Sequence, residues 1–204
     1  VKLNPEHISA YSLIVEEGTP LFDMVERAGS TILPSEDGDR QMYALTKKIL
    51  ADAGYYRYEI SNYSRPGFEC RHNISYWERT DYLGFGVAAA SLLKKSESYP
   101  EDRRFTNTFD LAGYIKNPIN NHSEEQLLTK NDEMEEFMFL GLRMMDGISK
   151  ESFKCDFGTS FDEIYGSIAK KQLEQGLISC EADRIKLTDM GIDVSNTVMA
   201  EYML

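Results

Sequence analysis

Cysteine is scarce in this sequence. Three occur in 204 residues, Cys70, Cys155 and Cys180, and an odd, dispersed set with no CxxC spacing excludes a disulfide framework and a cysteine-knuckle metal site. Basic residues are in short supply as well: 22 Lys and Arg stand against 34 Asp and Glu, a net charge of −12. A surface of that sign repels a phosphate backbone, so nucleic acid is not expected as a partner. No apolar run approaches the ~20 residues needed to cross a bilayer. The opening Val1-Lys2-Leu3-Asn4-Pro5 has no charged-then-apolar signal pattern, which makes a cytoplasmic location the expectation. Low-complexity tracts and internal repeats are absent.

What is present is a globular composition. Hydrophobic residues make up 42% and charged residues 27%, too apolar for disorder and enough to bury a core in one large domain or two small ones. The acidity is uneven: from Ser123 to Glu163 eleven acids stand against four bases, which predicts an acidic surface in the middle of the chain.

His7 to Val15 reads as a short apolar strand bounded by Pro5 and by Glu16-Glu17-Gly18-Thr19-Pro20. Met42, Leu45, Thr46, Ile49, Leu50 and Ala53 follow helical spacing and Gly54 stands at a C-cap. Tyr55 to Tyr63 reads as a second strand, closing a strand, helix, strand unit of the kind found in parallel sheets. Two strands do not make a self-sufficient parallel layer. Residues 94–128 are polar, hold a short helical stretch from Phe109 to Ile115, and read as a bridge between a first module, 1–93, and a second, 129–204. The second module opens on an acidic helix carrying Met134, Phe137, Met138, Gly141, Leu142 and Met145. Ser149 then opens a short helix and Ser160-Phe161-Asp162-Glu163 is a capping box for a longer one. A hairpin around Glu181-Ala182-Asp183 and a last helix capped by Thr188 complete a winged-helix-like pattern. Its expected recognition helix has no basic stripe, which argues against DNA.

The densest chemistry lies in Arg71-His72-Asn73-Ile74-Ser75-Tyr76-Trp77. Imidazole, phenol and indole so close together suit a flat aromatic ligand whose metal is ligated by the imidazole. The other reading is a surface lip in which the aromatics plug a sheet edge. Gly84-Phe85-Gly86 followed by Ala88-Ala89-Ala90 is not a dinucleotide fingerprint. Its glycines permit close approach of either a ligand or a neighbouring strand. His7 and His122 are isolated, and no nucleophile, base and orienter trio can be assembled.

The order of these motifs resembles a known family. Pro5-Glu6-His7-Ile8-Ser9-Ala10-Tyr11-Ser12-Leu13 with Glu16-Glu17-Gly18-Thr19-Pro20, then Tyr58-Glu59-Ile60-Ser61-Asn62-Tyr63-Ser64, then Arg71-His72-Asn73-x-x-Tyr76-Trp77, then Tyr82-Leu83-Gly84-Phe85-Gly86 is similar to the second half of HemW-like proteins, the relatives of oxygen-independent coproporphyrinogen III oxidase. The HNxxYW element is the specific one. The resemblance implies an α/β fold, the C-terminal part of a partial (β/α) radical-SAM barrel followed by a small winged-helix-like α+β domain. It also implies S-adenosylmethionine and a [4Fe-4S] cluster in the full-length protein, the cluster held by a CxxxCxxC motif expected in an N-terminal half that this chain lacks; the fragment alone is then inactive. Heme binding is implied for Arg71, His72, Asn73, Tyr76 and Trp77, with His72 as the iron ligand. Leu13, Ile14 and Ala90 are implied at the edge of the S-adenosylmethionine cavity.

Three functions remain open at this point: a heme chaperone, a coproporphyrinogen oxidase, and a non-catalytic interaction module working through Glu133, Glu135 and Glu136. Expected partners are heme or porphyrinogen and heme-accepting proteins, with peripheral contact with membrane proteins and self-association as further expectations. One departure stands out. Where the family usually reads GxGAGAHS, this chain has Gly84-Phe85-Gly86-Val87-Ala88-Ala89-Ala90-Ser91, so Ala90 replaces a histidine.

Overall fold

A computed structural model describes residues 2–29, 32–97 and 100–204, and the Val1 of the N-terminal reading lies outside them. The chain divides into two compact units, Val1–Cys70 and Arg71–Leu204. It is a mixed α/β chain of three small antiparallel sheets, and no closed barrel forms among the described residues.

The first unit holds β1 (His7–Ser9), α1 (Pro20–Ala28), α2 (Glu36–Asp52), β2 (Tyr56–Glu59) and β3 (Asn62–Ser64). Ser35 caps α2, its hydroxyl accepting from the Gly38 N–H, and Gly54 follows the helix at φ +83°, the left-handed conformation that a side chain resists. The expected strand, helix, strand crossover forms with an extra strand inserted: β3 lies between β1 and β2 and pairs antiparallel with both, so β1 and β2 run parallel without pairing directly. The reason is a turn inside what reads as one strand. Glu59 is fully buried, and one of its carboxylate oxygens accepts from the Ser61 N–H at 2.7 Å and from Asn62 Nδ2 at 2.6 Å, folding Ile60 and Ser61 into a hairpin. Leu50, Tyr55 and Tyr63 form the core with Ile8, Ala10 and Ala53 around it. The helical stripe of α2 divides, because Leu50 is buried while Met42, Leu45 and Ile49 are exposed.

The second unit opens with α3 (Arg71–Trp77) and continues with β4 (Ala90–Leu93), β5 (Arg103–Asn107), α4 (Leu111–Lys116) and β6 (His122–Leu127). The polar stretch expected to bridge two modules instead supplies two strands of the sheet β4-β5-β6. Polar residues suffice there because alternation buries only Phe105 and Asn107 of β5 and leaves β6 largely exposed. Then follow α5 (Lys130–Gly141), β7 (Ile148–Ser149), α6 (Lys150–Phe157), α7 (Phe161–Glu174), β8 (Ile178–Glu181), β9 (Arg184–Leu187), α8 (Asp189–Asp193) and α9 (Ser195–Ala200). This is winged-helix order, with sheet β7-β9-β8 and capping boxes at Thr129 with Asp132 and at Ser160 with Glu163. Phe153 centres its core, with the rings of Phe137, Phe157, Phe161 and Tyr165 at 4.8–5.8 Å. A buried polar pin closes the far end: the Tyr202 hydroxyl donates to Gln172 Oε1 at 2.9 Å, and Gln172 Nε2 donates to the Val198 carbonyl at 3.0 Å.

The acidic helix α5 does not present a free acidic face. Glu136 is paired to Arg79 and Arg104, and Glu135 accepts from the Leu204 N–H at 2.8 Å. No described helix is long and apolar enough to cross a membrane.

Candidate functional site

The site is built on α3, seven residues long. A helix of that length does not persist alone, since nucleation outweighs so few hydrogen bonds, and tertiary contacts must hold it. Helical spacing places His72 and Tyr76 on one stripe and Asn73 and Trp77 on the next. The rings of His72 and Tyr76 meet edge to face, centroids 4.8 Å apart at 79°, and Tyr76 meets Tyr82 in the same way at 4.7 Å and 77°. Trp77 faces elsewhere: its ring lies under the Arg143 guanidinium, 4.4 Å from the centroid. It also lines a cavity of about 230 Å³ with Phe137, Gly141, Met144 and Ile148, where its indole N–H is buried without a hydrogen-bond acceptor.

Of the residues singled out by sequence, the structure brings His72 and Tyr76 together and separates Trp77 from them. His72 and Arg71 are exposed, while Asn73 and Tyr76 are half-buried. An exposed imidazole beside an aromatic edge can ligate an iron from solvent and flank a flat macrocycle.

Of the two glycines after Tyr82, Gly84 serves chain packing, while Gly86 has open space around it and takes φ +103°. A Cβ on Gly84 would sit 2.3 Å from the Ala90 carbonyl oxygen, and Asn107 Nδ2 donates to the carbonyls of Gly84 at 3.1 Å and Gly86 at 2.9 Å. Ala90 itself is exposed at the first position of β4, paired with Thr106. Leu13 and Ile14 are exposed at 62% and 74% and belong to the first unit.

What sequence reasoning missed is the base of the site. Directly after α3, Arg79 takes φ +53°, a left-handed conformation uncommon outside glycine. Its guanidinium is buried against two carboxylates, Nε at 2.9 Å from Glu136 and Nη2 at 3.5 Å from Asp102. Arg104 reaches the other oxygen of Glu136 at 2.7 Å. Burial works against the Arg104 cation, yet Glu136 outweighs it and holds Arg104 above its ordinary value. These charges lie on α3's end, a loop, β5 and α5, and no local spacing joins them.

Glu133, one turn before Glu136, is the strained member of the group. Burial, and then the charge of Asp102, raise its carboxyl above the ordinary value, against the pull of Arg79, Lys95 and Lys94. The folded chain therefore holds that proton more tightly than the unfolded one, and the cost of ionising Glu133 is full above its folded pKa and absent below its unfolded one. Glu133→Gln is expected to raise the midpoint of thermal unfolding at neutral pH, with the gain shrinking as pH falls through the carboxylate range; a loss of stability at neutral pH would contradict this.

Cys70, Cys155 and Cys180 are free and lie in separate parts of the fold, before α3, in α6 and in β8. No group of three metal-ligating side chains occurs among the described residues, so these thiols do not fit an iron–sulfur cluster.

Comparison with known proteins follows the same lines. The family described as the HemN C-terminal domain matches residues 128–194. The chain is 37% identical over its full length to the heme chaperone HemW of Lactococcus lactis subsp. lactis (strain IL1403), covering 52% of that protein, and 32% identical to the heme chaperone HemW of Bacillus subtilis (strain 168), again covering 52%. It thus spans about half the length of the curated relatives it matches. Among solved structures, the coproporphyrinogen III oxidase HemN of Escherichia coli, described as a radical SAM enzyme, matches 99% of this chain and 49% of its own with a TM-score of 0.71 at 16% identity. The fold, the motif order and the similarity along the whole of this chain agree: this chain belongs to the HemW-like family, and it carries that family's C-terminal region.

Proposed function

We propose that this chain supplies the heme-binding face of a radical-SAM heme chaperone that delivers heme, its cargo, to acceptor proteins in the cytoplasm. The observation that carries the reading is the exposed His72 imidazole, edge-on to Tyr76, on a short helix anchored by buried ion pairs. His72 would ligate the iron, Tyr76 would flank the macrocycle, Arg71 would meet a propionate and Asn73 would offer an amide at the rim. Trp77 would act from beneath, by fixing α3 against Arg143. S-adenosylmethionine and a [4Fe-4S] cluster would belong to the full-length protein, with Leu13, Ile14 and Ala90 at the edge of the S-adenosylmethionine cavity. The cluster cysteines would lie outside this sequence. Similarity along the whole of this chain to about half the length of the named heme chaperones supports this reading over porphyrinogen oxidation, for which the support is a shared fold at 16% identity.

The test is an optical titration with hemin. The wild-type chain is expected to shift the Soret band, and His72→Ala is expected to weaken binding at least tenfold, the scale on which losing an interaction of about 1.4 kcal/mol reads out. Equal affinity in both proteins would remove His72 as the ligand.

A further inference from the structure

We infer that Glu136, on α5, is the positioning residue for the His72 face, acting through both oxygens of one carboxylate; this rests on the heme-binding reading above. Oε2 takes Arg79 at 2.9 Å, and the Arg79 N–H donates to the Tyr76 carbonyl at 3.1 Å, so this arm sets the end of α3. Oε1 takes Arg104, on β5, at 2.7 Å. Tyr82 is bridged to Leu92, and Leu92 lies opposite Arg104 in the β4–β5 ladder. The Tyr82 ring then meets Tyr76 edge to face. Both arms end at Tyr76, one through the backbone and one through a ring, and Tyr76 meets His72 in turn. Glu136 is largely buried, at 17% side-chain exposure, and Arg79 more so at 6%. Partners this dry have few alternative geometries, because leaving one charge unpaired is costly. The carboxylate of a helix that reads as an acidic surface thereby fixes the orientation of an imidazole on a different helix.

The experiment uses the whole chain and two readouts. In the absence of hemin, proton NMR reports the ring-current shifts that Tyr76 imposes on the His72 imidazole. Glu136→Gln is expected to move them and to weaken hemin binding about tenfold or more, the usual scale for loss of a residue that orients a metal ligand. Glu136→Asp is expected to restore part of both. Glu135→Gln, which removes the same charge from the same helix without touching Arg79 or Arg104, is expected to change neither. Should Glu136→Gln fail to fold by circular dichroism, Arg104→Gln cuts the Tyr82 arm from a partly exposed position and decides the matter. Folded variants with unchanged His72 ring shifts would overturn the proposal. A wild-type chain that binds no hemin would overturn the heme reading alone, with the ring shifts still deciding the role of Glu136.

Discussion

Gly147→Ala is expected to destabilise the winged-helix-like region by about 2–4 kcal/mol, the sum of a left-handed backbone penalty of roughly 1 kcal/mol and an overpacking cost of roughly 1–3 kcal/mol. Gly147 sits at φ +63° just before β7, and a Cβ there would lie 1.9 Å from the Ile185 carbonyl oxygen and 2.9 Å from the Lys186 Cα. Neither neighbour can move, because Ile185 and Lys186 belong to β9, the central strand of the sheet β7-β9-β8. Gly158 is the internal control. It has nearly the same φ, +66°, at the end of α6, but nothing lies within 4 Å of its added Cβ. Gly158→Ala should therefore cost only the backbone term, about 1 kcal/mol. Urea denaturation followed by far-UV circular dichroism measures both, and equal losses at the two positions would show that crowding at Gly147 does not matter.

Arg79→Ala is expected to cost about 3–5 kcal/mol, the range for removing one partner of a buried ion pair. The variant takes the guanidinium from Asp102 and Glu136, whose side chains are 4% and 17% exposed, leaving Asp102 the Lys95 N–H and, among the described residues, Arg104 to answer Glu136. Distance does not set this magnitude. Lys48 and Asp52 are closer, at 2.7 Å, but 72% and 67% exposed, so water and salt screen them and Lys48→Ala should leave the unfolding midpoint unchanged. The double variant Arg79→Ala with Asp102→Asn should recover part of the loss, since it removes one of the two charges that lost the guanidinium. Thermal unfolding at low and at 0.5 M salt distinguishes the cases: the Arg79 effect should persist in salt, and its disappearance would mean that the pair is wetter than its burial implies.

The winged-helix-like region was legible because its signals are local. Ser160 and Glu163 form the capping box that their spacing announces, Gly158 takes the left-handed C-cap, and Glu181-Ala182-Asp183 makes the hairpin between β8 and β9. The first unit misled because its decisive contact has no periodicity. Tyr55 to Tyr63 alternates like one strand, and only the burial of Glu59 against Ser61 and Asn62 turns it into two. The strand starting at His7 likewise stops at Ser9, although the apolar run continues to Val15. Its later residues Leu13 and Ile14 are exposed.

The candidate site divides along the same line. Sequence alone put an imidazole and a phenol on one stripe, since residues four apart share it whenever the segment is helical, and it placed the chain in a family through a motif too specific to arise from composition. Only the tertiary structure decided which way the rings face and what holds them. It turned Trp77 away under Arg143, and it joined Arg79, Asp102, Arg104 and Glu136 across as many as 57 residues of chain. The physical reason is that a helix stripe is set by backbone geometry within four residues, whereas a buried charge finds its partner only after folding has removed the water that would otherwise satisfy it.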